Sequence, residues 1–224
     1  MALNLQQPIL YLITSGETTL ETEPTSPEFK RILTLVRAAA LAGINLIQLR
    51  EKNLHARVLY ELAAQAAAIT RASATRLIIN DRADISRAAG CDGVQLTTRS
   101  LEANIVRETF GTDFLIGVST HSIEEALHAR DLGADFVVFG PIFDTPSKRA
   151  YGPALGLDKL EEASRQLSPF PLIAIGGMAL QNAPQVLRAG ASGIAAIRLF
   201  SDTDNLEAIV RKLRSVPPAV EGGS

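Results

Sequence analysis

The chain has 224 residues, 46% of them hydrophobic, with 22 Lys and Arg against 24 Asp and Glu for a formal net charge of −2. That length suits one large α/β domain that buries its core without metal or disulfide staples, and the balanced charge gives no electrostatic reason to expect nucleic acid or a membrane surface as partner. The lone cysteine, Cys91, excludes an internal disulfide framework.

The opening MALNLQQPIL lacks the basic and long apolar regions of a secretory signal. No apolar run approaches the roughly 20 residues of a bilayer span, so the chain reads as soluble and cytoplasmic. The first strand is expected near 8–13, followed by a helix over 28–42 and a second strand over 44–49. A helix over 54–73 leads to a third strand at 76–80, and two helical turns fit within 81–90 before a fourth strand at 92–96. Strands near 114–118 and 135–139 flank a helix over 122–132. Strands near 171–175 and 193–197 flank one over 178–189. Residues 1–7 and the tail 217–224 are expected to be flexible ends of a single domain.

One phrase recurs: a helical stretch, a glycine, then a short β-rich run, as in LAGINLIQLR, AAGCDGVQL, DLGADFVVFG and RAGASGIAAI. Gly43, Gly90, Gly133 and Gly190 sit where a helix ends in a left-handed residue. The apolar runs that follow suit parallel strands buried on both faces. Eight strands alternating with helices predict a single α/β (β/α)8 TIM barrel; a doubly wound open sheet is the alternative.

In a barrel, function belongs to residues just after each strand. Gln48, Arg50 and Lys52 alternate after the second strand, and the two cations suit phosphate oxygens. The plain alternative is a surface salt bridge with Glu51. Asn80 and Asp81 end the third strand; Asp81 is the candidate ligand for Mg2+, or else a helix cap or a partner of Arg82. Gln95 follows on the fourth strand. Ser119 and His121 follow the fifth, where His121 suits proton transfer. Ser119, Thr120 or Ser122 are the alternative caps for the next helix, with Glu125 completing a capping box with Ser122. His55 and His128 read as helix-surface residues.

The Pro- and Gly-rich passage from Gly140 to Leu157 is long enough for a ligand loop. Thr145, Lys148 and Arg149 lie within it, and Lys148 and Arg149 give it charge for closing over a phosphate. Gly176 and Gly177 after the seventh strand, and Arg198 after the eighth, occupy the usual barrel phosphate position.

These residues, taken in order, resemble the thiamin phosphate synthase and thiazole tautomerase superfamily. The resemblance rests on QLREK at 48–52, IINDR at 78–82, DGVQL at 92–96, GVSTHS at 117–122, FGPIFDTPSK at 139–148 and IGGM at 175–178. It implies a reaction that joins an aminopyrimidine pyrophosphate to a thiazole phosphate and releases pyrophosphate with Mg2+ assistance. It also implies that Arg50, Lys52, Asn80, Ser119 and Lys148 hold the pyrophosphate, Asp81 the Mg2+, and Gln48 the pyrimidine. Gly176 and Gly177 then lie by the thiazole phosphate.

The chain departs from the synthase pattern H-L-G-Q-E-D after the fourth strand, where it reads Gln95-Leu96-Thr97-Thr98-Arg99-Ser100. A second expected Mg2+ carboxylate is therefore Ser100, and this loop resembles the tautomerase branch. There His121 is tied to proton transfer on the thiazole ring. Arg198 likewise replaces a small residue. Three readings stand open: the synthase, a tautomerase-like isomerase, and a non-catalytic phosphate-binding barrel. Each expects small phosphorylated ligands, with homo-oligomerisation left undecided.

Overall fold

A computed structural model describes residues 5–97, 99–144 and 153–216. Eight parallel strands close into a barrel in chain order, from β1 (Ile9–Ile13) and β2 (Leu46–Leu49) through β3 (Arg76–Asn80) and β4 (Gly93–Leu96). β5 (Leu115–Thr120), β6 (Phe136–Phe139), β7 (Leu172–Ile175) and β8 (Gly193–Ala196) complete it. β8 pairs back onto β1, with Leu10 opposite Ile194. That closure decides against the open sheet.

The helices are α1 (Pro27–Ala42), α2 (Ala56–Thr70), α3 (Ala83–Ala88), α4 (Ala103–Phe110), α5 (Ile123–Asp131), α6 (Gly156–Leu167), α7 (Ala183–Arg188) and α8 (Leu206–Arg214). α1 starts on Pro27, whose ring suits a first helical turn. The seventh helix is much shorter than the expected 178–189. Residues 178–182 instead form a turn in which Asn182 accepts from the Ala179 amide at 2.9 Å and donates to the Gly177 carbonyl at 2.8 Å. The four joint glycines have φ of 81°, 72°, 87° and 90°, as the recurring phrase required.

Two apolar layers follow from strand alternation. Leu10, Leu12, Ile47, Leu49, Leu77 and Ile79 face the helices. Ile9, Tyr11, Ile13, Leu46, Ile78, Phe136, Val138, Ile173 and Ala195 fill the barrel interior. Gly117 makes room there, since a Cβ on it would lie 2.4 Å from both Gln95 Oε1 and the Phe136 ring.

Polar contacts seal the N-terminal face. Arg214 of α8 donates to the carbonyls of Gln6, Pro8 and Gly43 and to Asn45 Oδ1. Arg107 of α4 donates to three carbonyls and pairs with Asp135 at 2.7 Å. A cavity of about 560 Å3 opens at this face between Pro8, Phe170, Ser192 and Arg214. It lies at the stability end of the barrel, away from the strand C-termini where barrel chemistry is built.

Candidate active site

At the C-terminal mouth, the inward side chains stop being apolar. Tyr11, with no exposed surface, contacts Gln48 Oε1 at 3.1 Å and Gln95 Oε1 at 3.0 Å. Gln48 Nε2 donates to Asn80 Oδ1 at 3.1 Å, and Gln95 Nε2 donates to Ser119 Oγ at 3.1 Å. Four predicted site residues, Gln48, Asn80, Gln95 and Ser119, are thus linked from four strands through a fifth residue that sequence reasoning missed. Burial raises the Tyr11 phenol well above its ordinary range, so it keeps its proton. Its ring also meets Phe136 edge-on, with centroids 6.0 Å apart. The available signal was period 2 alone: Tyr11 shares its strand face with Ile9 and Ile13.

Beside this neutral wall lies a cationic rim. Lys52 is exposed, and its ammonium is held below the ordinary value by partial burial, then by Arg50 and Arg99, against the opposing pull of Asp81. The loop at 97–100 therefore brings a cation, Arg99, to the rim.

Among the described residues, Glu51 does not make the surface salt bridge that was the plain alternative for this segment. It is only 3% exposed and accepts from the Thr14 and Thr18 hydroxyls and from the Gly16 and Thr18 amides. The Thr14 hydroxyl oxygen in turn accepts from the Arg50 amide at 2.9 Å. Glu51 therefore ties the end of β2 to the loop after β1. A carboxylate between two cations conceals this role in sequence.

Asp81 has φ of 61°, a left-handed conformation that Asp tolerates better than most side chains. Its amide donates to the Gln95 carbonyl at 3.0 Å. Neither plain alternative holds for it: Arg82 is forked onto Asp84 at 2.9 and 2.6 Å, and α3 carries no side-chain cap. The Asp81 carboxylate takes no hydrogen bond among the described residues, while Ser100 Oγ accepts from the Thr97 amide at 2.8 Å and meets Thr97 Oγ1 at 3.0 Å. No group of three or more His, Cys, Asp or Glu converges among the described residues. Asp81 fits a hard cation carried mainly by phosphate oxygens, the usual manner of Mg2+.

His121 precedes the N-cap Ser122, whose hydroxyl accepts from the Glu125 amide at 3.1 Å. Glu125 reaches back to the His121 amide at 2.6 Å, one residue before the expected position. The half-buried imidazole approaches the Gly140 carbonyl through Nδ1 at 2.5 Å. A carbonyl only accepts, so Nδ1 is the donor in this contact. His55 and His128 are exposed, as expected.

Gly176 and Gly177, with φ of 101° and 65°, form the turn after β7. A Cβ on Gly176 would lie 2.6 Å from Pro141, and one on Gly177 2.8 Å from Phe143 Cβ. The Phe143 amide donates to the Gly176 carbonyl at 3.2 Å. The glycines therefore seat the start of the β6–α6 passage on the β7 turn. Arg198 opens a short 3-10 turn (Arg198–Phe200) directly after β8. It lines a cavity of about 460 Å3 with Thr14, Lys30 and Arg31. Thr145, Lys148 and Arg149 lie outside the described residues.

The thiamine monophosphate synthase family matches residues 10–200. A thiamine-phosphate synthase of Chlorobium phaeovibrioides is 42% identical over 81% of this chain and 88% of its own length. One from Roseiflexus sp. strain RS-1 is 39% identical over 84% of this chain and 79% of the relative. The solved thiamine phosphate pyrophosphorylase of Pyrococcus furiosus superposes with a TM-score of 0.74 at 30% identity, covering 92% of this chain and 97% of that one. The chain belongs to the thiamine monophosphate synthase family, and with it to the transferases of thiamin biosynthesis.

Proposed function

We propose that this protein couples an aminopyrimidine pyrophosphate to a thiazole phosphate, releasing pyrophosphate, as one barrel domain working in the cytoplasm. The observation that carries the reading is the adjacency, at one mouth, of a neutral hydrogen-bonding wall and a cationic rim with one uncommitted carboxylate. The bond from the pyrimidine methylene to the pyrophosphate oxygen breaks, and its electron pair leaves on that oxygen. Arg50 and Lys52, joined by Lys148, hold the departing charge. Asn80 and Ser119 add hydrogen bonds to the pyrophosphate, Gln48 orients the pyrimidine, and Gln95 and Thr145 complete its surroundings. The thiazole nitrogen supplies the pair for the new carbon–nitrogen bond, so no side chain need take a proton. Gly176, Gly177 and Arg198 hold the thiazole phosphate. Asp81 would hold Mg2+ with the pyrophosphate, and the ion, when bound, supplies charge neutralisation on the phosphate oxygens.

A second reading, isomerisation of a thiazole carboxylate phosphate, is favoured by the Ser100 hydroxyl bonded within its own turn and by the half-buried imidazole of His121 directly after β5. A paired assay separates the two: pyrophosphate release with both synthase substrates and Mg2+, and isomerisation of the thiazole carboxylate phosphate. Release that requires both substrates is expected. Isomerisation without release overturns the synthase reading, and binding without turnover in either assay leaves only a phosphate-binding barrel.

A further inference from the structure

Tyr11 touches two amide oxygens at about equal distance, 3.1 Å to Gln48 and 3.0 Å to Gln95. A phenol carries one proton, so only one of these contacts is a hydrogen bond at any instant. The other brings two lone-pair oxygens together in an almost fully buried space: Tyr11, Gln48 and Gln95 are 0%, 3% and 2% exposed. An amide relieves that conflict by turning over, which exchanges its oxygen and nitrogen at the same two positions.

Two satisfied arrangements result. When Tyr11 donates to Gln48, the Gln48 nitrogen donates to Asn80 Oδ1, leaving the Asn80 nitrogen toward the mouth as a donor. Gln95 then turns its nitrogen to the phenol oxygen and its oxygen to the Ser119 hydroxyl, so Ser119 offers the mouth lone pairs. When Tyr11 donates to Gln95, the pattern reverses: Ser119 offers its proton and Asn80 offers its oxygen.

We infer that Tyr11 is a positioning residue whose single proton forces the Gln48–Asn80 and Gln95–Ser119 arms into opposite senses, so that the wall presents one donor and one acceptor at a time. A pyrophosphate, which only accepts, must draw a donor from both arms and leave one buried oxygen–oxygen contact unrelieved. A mixed edge, such as a ring nitrogen beside an amino group, fits without that cost. This consequence for ligands rests on the proposed pyrophosphate site; the coupling of the arms does not.

The test has two arms. In the ligand-free protein, side-chain amide NMR signals are followed in Asn80→Ala and Ser119→Ala. The Gln48 signals should shift in Ser119→Ala and the Gln95 signals in Asn80→Ala, and both cross-responses should vanish on adding Tyr11→Phe. Absence of the cross-responses while Tyr11 is in place overturns the inference, even if the Tyr11→Phe variant fails to fold. Their persistence once Tyr11→Phe is added overturns it equally.

The second arm titrates inorganic pyrophosphate with Mg2+ into the same variants. With Tyr11 in place each single variant relieves the conflict and loses little, so the double variant should lose roughly threefold or more beyond the product of the singles. In the Tyr11→Phe background the losses should multiply simply, and Tyr11→Phe alone should not weaken binding. Equal coupling in both backgrounds counts against Tyr11. Cross-responses in a protein that does not bind pyrophosphate would sink the synthase reading and leave the coupling standing.

Discussion

Replacing Lys52 with Ala separates the two phosphate subsites. Lys52 makes no ion pair among the described residues, and its ammonium is disfavoured by partial burial and by Arg50 and Arg99. Its removal should therefore leave the melting temperature unchanged or slightly raised. With a pyrophosphate on the rim, the same ammonium gains a charge-assisted contact of about 1.5–3 kcal/mol. At 1.4 kcal/mol per tenfold, that corresponds to about a ten- to 140-fold loss in use of the pyrimidine pyrophosphate. The exposure of Lys52 places the effect near the lower figure at physiological salt, and it should grow as salt is lowered. Steady-state KM values for both substrates are the assay, with a thermal melt as control. The thiazole phosphate, which the proposed arrangement seats at the β7 turn away from Lys52, should keep its KM within a factor of about two. Equal loss on both substrates, or a loss that tracks the melt, refutes the two-subsite arrangement.

His121→Gln should spare most transferase activity, because charge stabilisation carries that reaction. An isomerase would lose about a hundredfold or more, since glutamine cannot move a proton near neutral pH, and comparing both rates in the two proteins decides it. Ser100→Asp is expected to raise Mg2+ affinity: one carboxylate oxygen can keep the Thr97 contact while the other joins Asp81, and an unchanged Mg2+ titration means residue 100 does not face the site. Asp135→Ala leaves the mostly buried Arg107 unpaired and should cost about 3–5 kcal/mol in urea unfolding; a loss below about 1 kcal/mol would mean that the ion pair is effectively solvated. Burial, with Asp92 adding to it, pushes the Cys91 thiol up to about 12 from an ordinary 9.0, so the folded state keeps a proton the unfolded state loses. That stabilisation is complete below pH 9 and fades as pH rises toward 12. Wild type should therefore lose more stability than Cys91→Ala between pH 9 and about pH 11, and parallel curves would contradict the burial argument.

The alternation of buried strands and glycine-ended helices was legible because it is local. Gly43, Gly90, Gly133 and Gly190 announce a left-handed residue by their own conformational freedom, and an apolar run announces burial by composition. The positions after the strands were legible for the same reason, since a polar residue closing an apolar run stands out. The length of the seventh helix was not, because Asn182 closes a turn whose energy lies in its contacts with Gly177 and Ala179.

What only the tertiary structure decided is which of these residues share an environment. Barrel closure sets Leu10 against Ile194, residues almost a full chain apart, and no local propensity encodes that pairing. Tyr11 reads as one more apolar strand residue until closure places its hydroxyl between amides from β2 and β4. Glu51 reads as a surface charge between two cations until the loop after β1 folds over it with four donors. Sequence carries the identity of a polar group and the period of its neighbours. Whether that group is solvated, paired or shared depends on desolvation and on partners that only the closed barrel brings within hydrogen-bond reach.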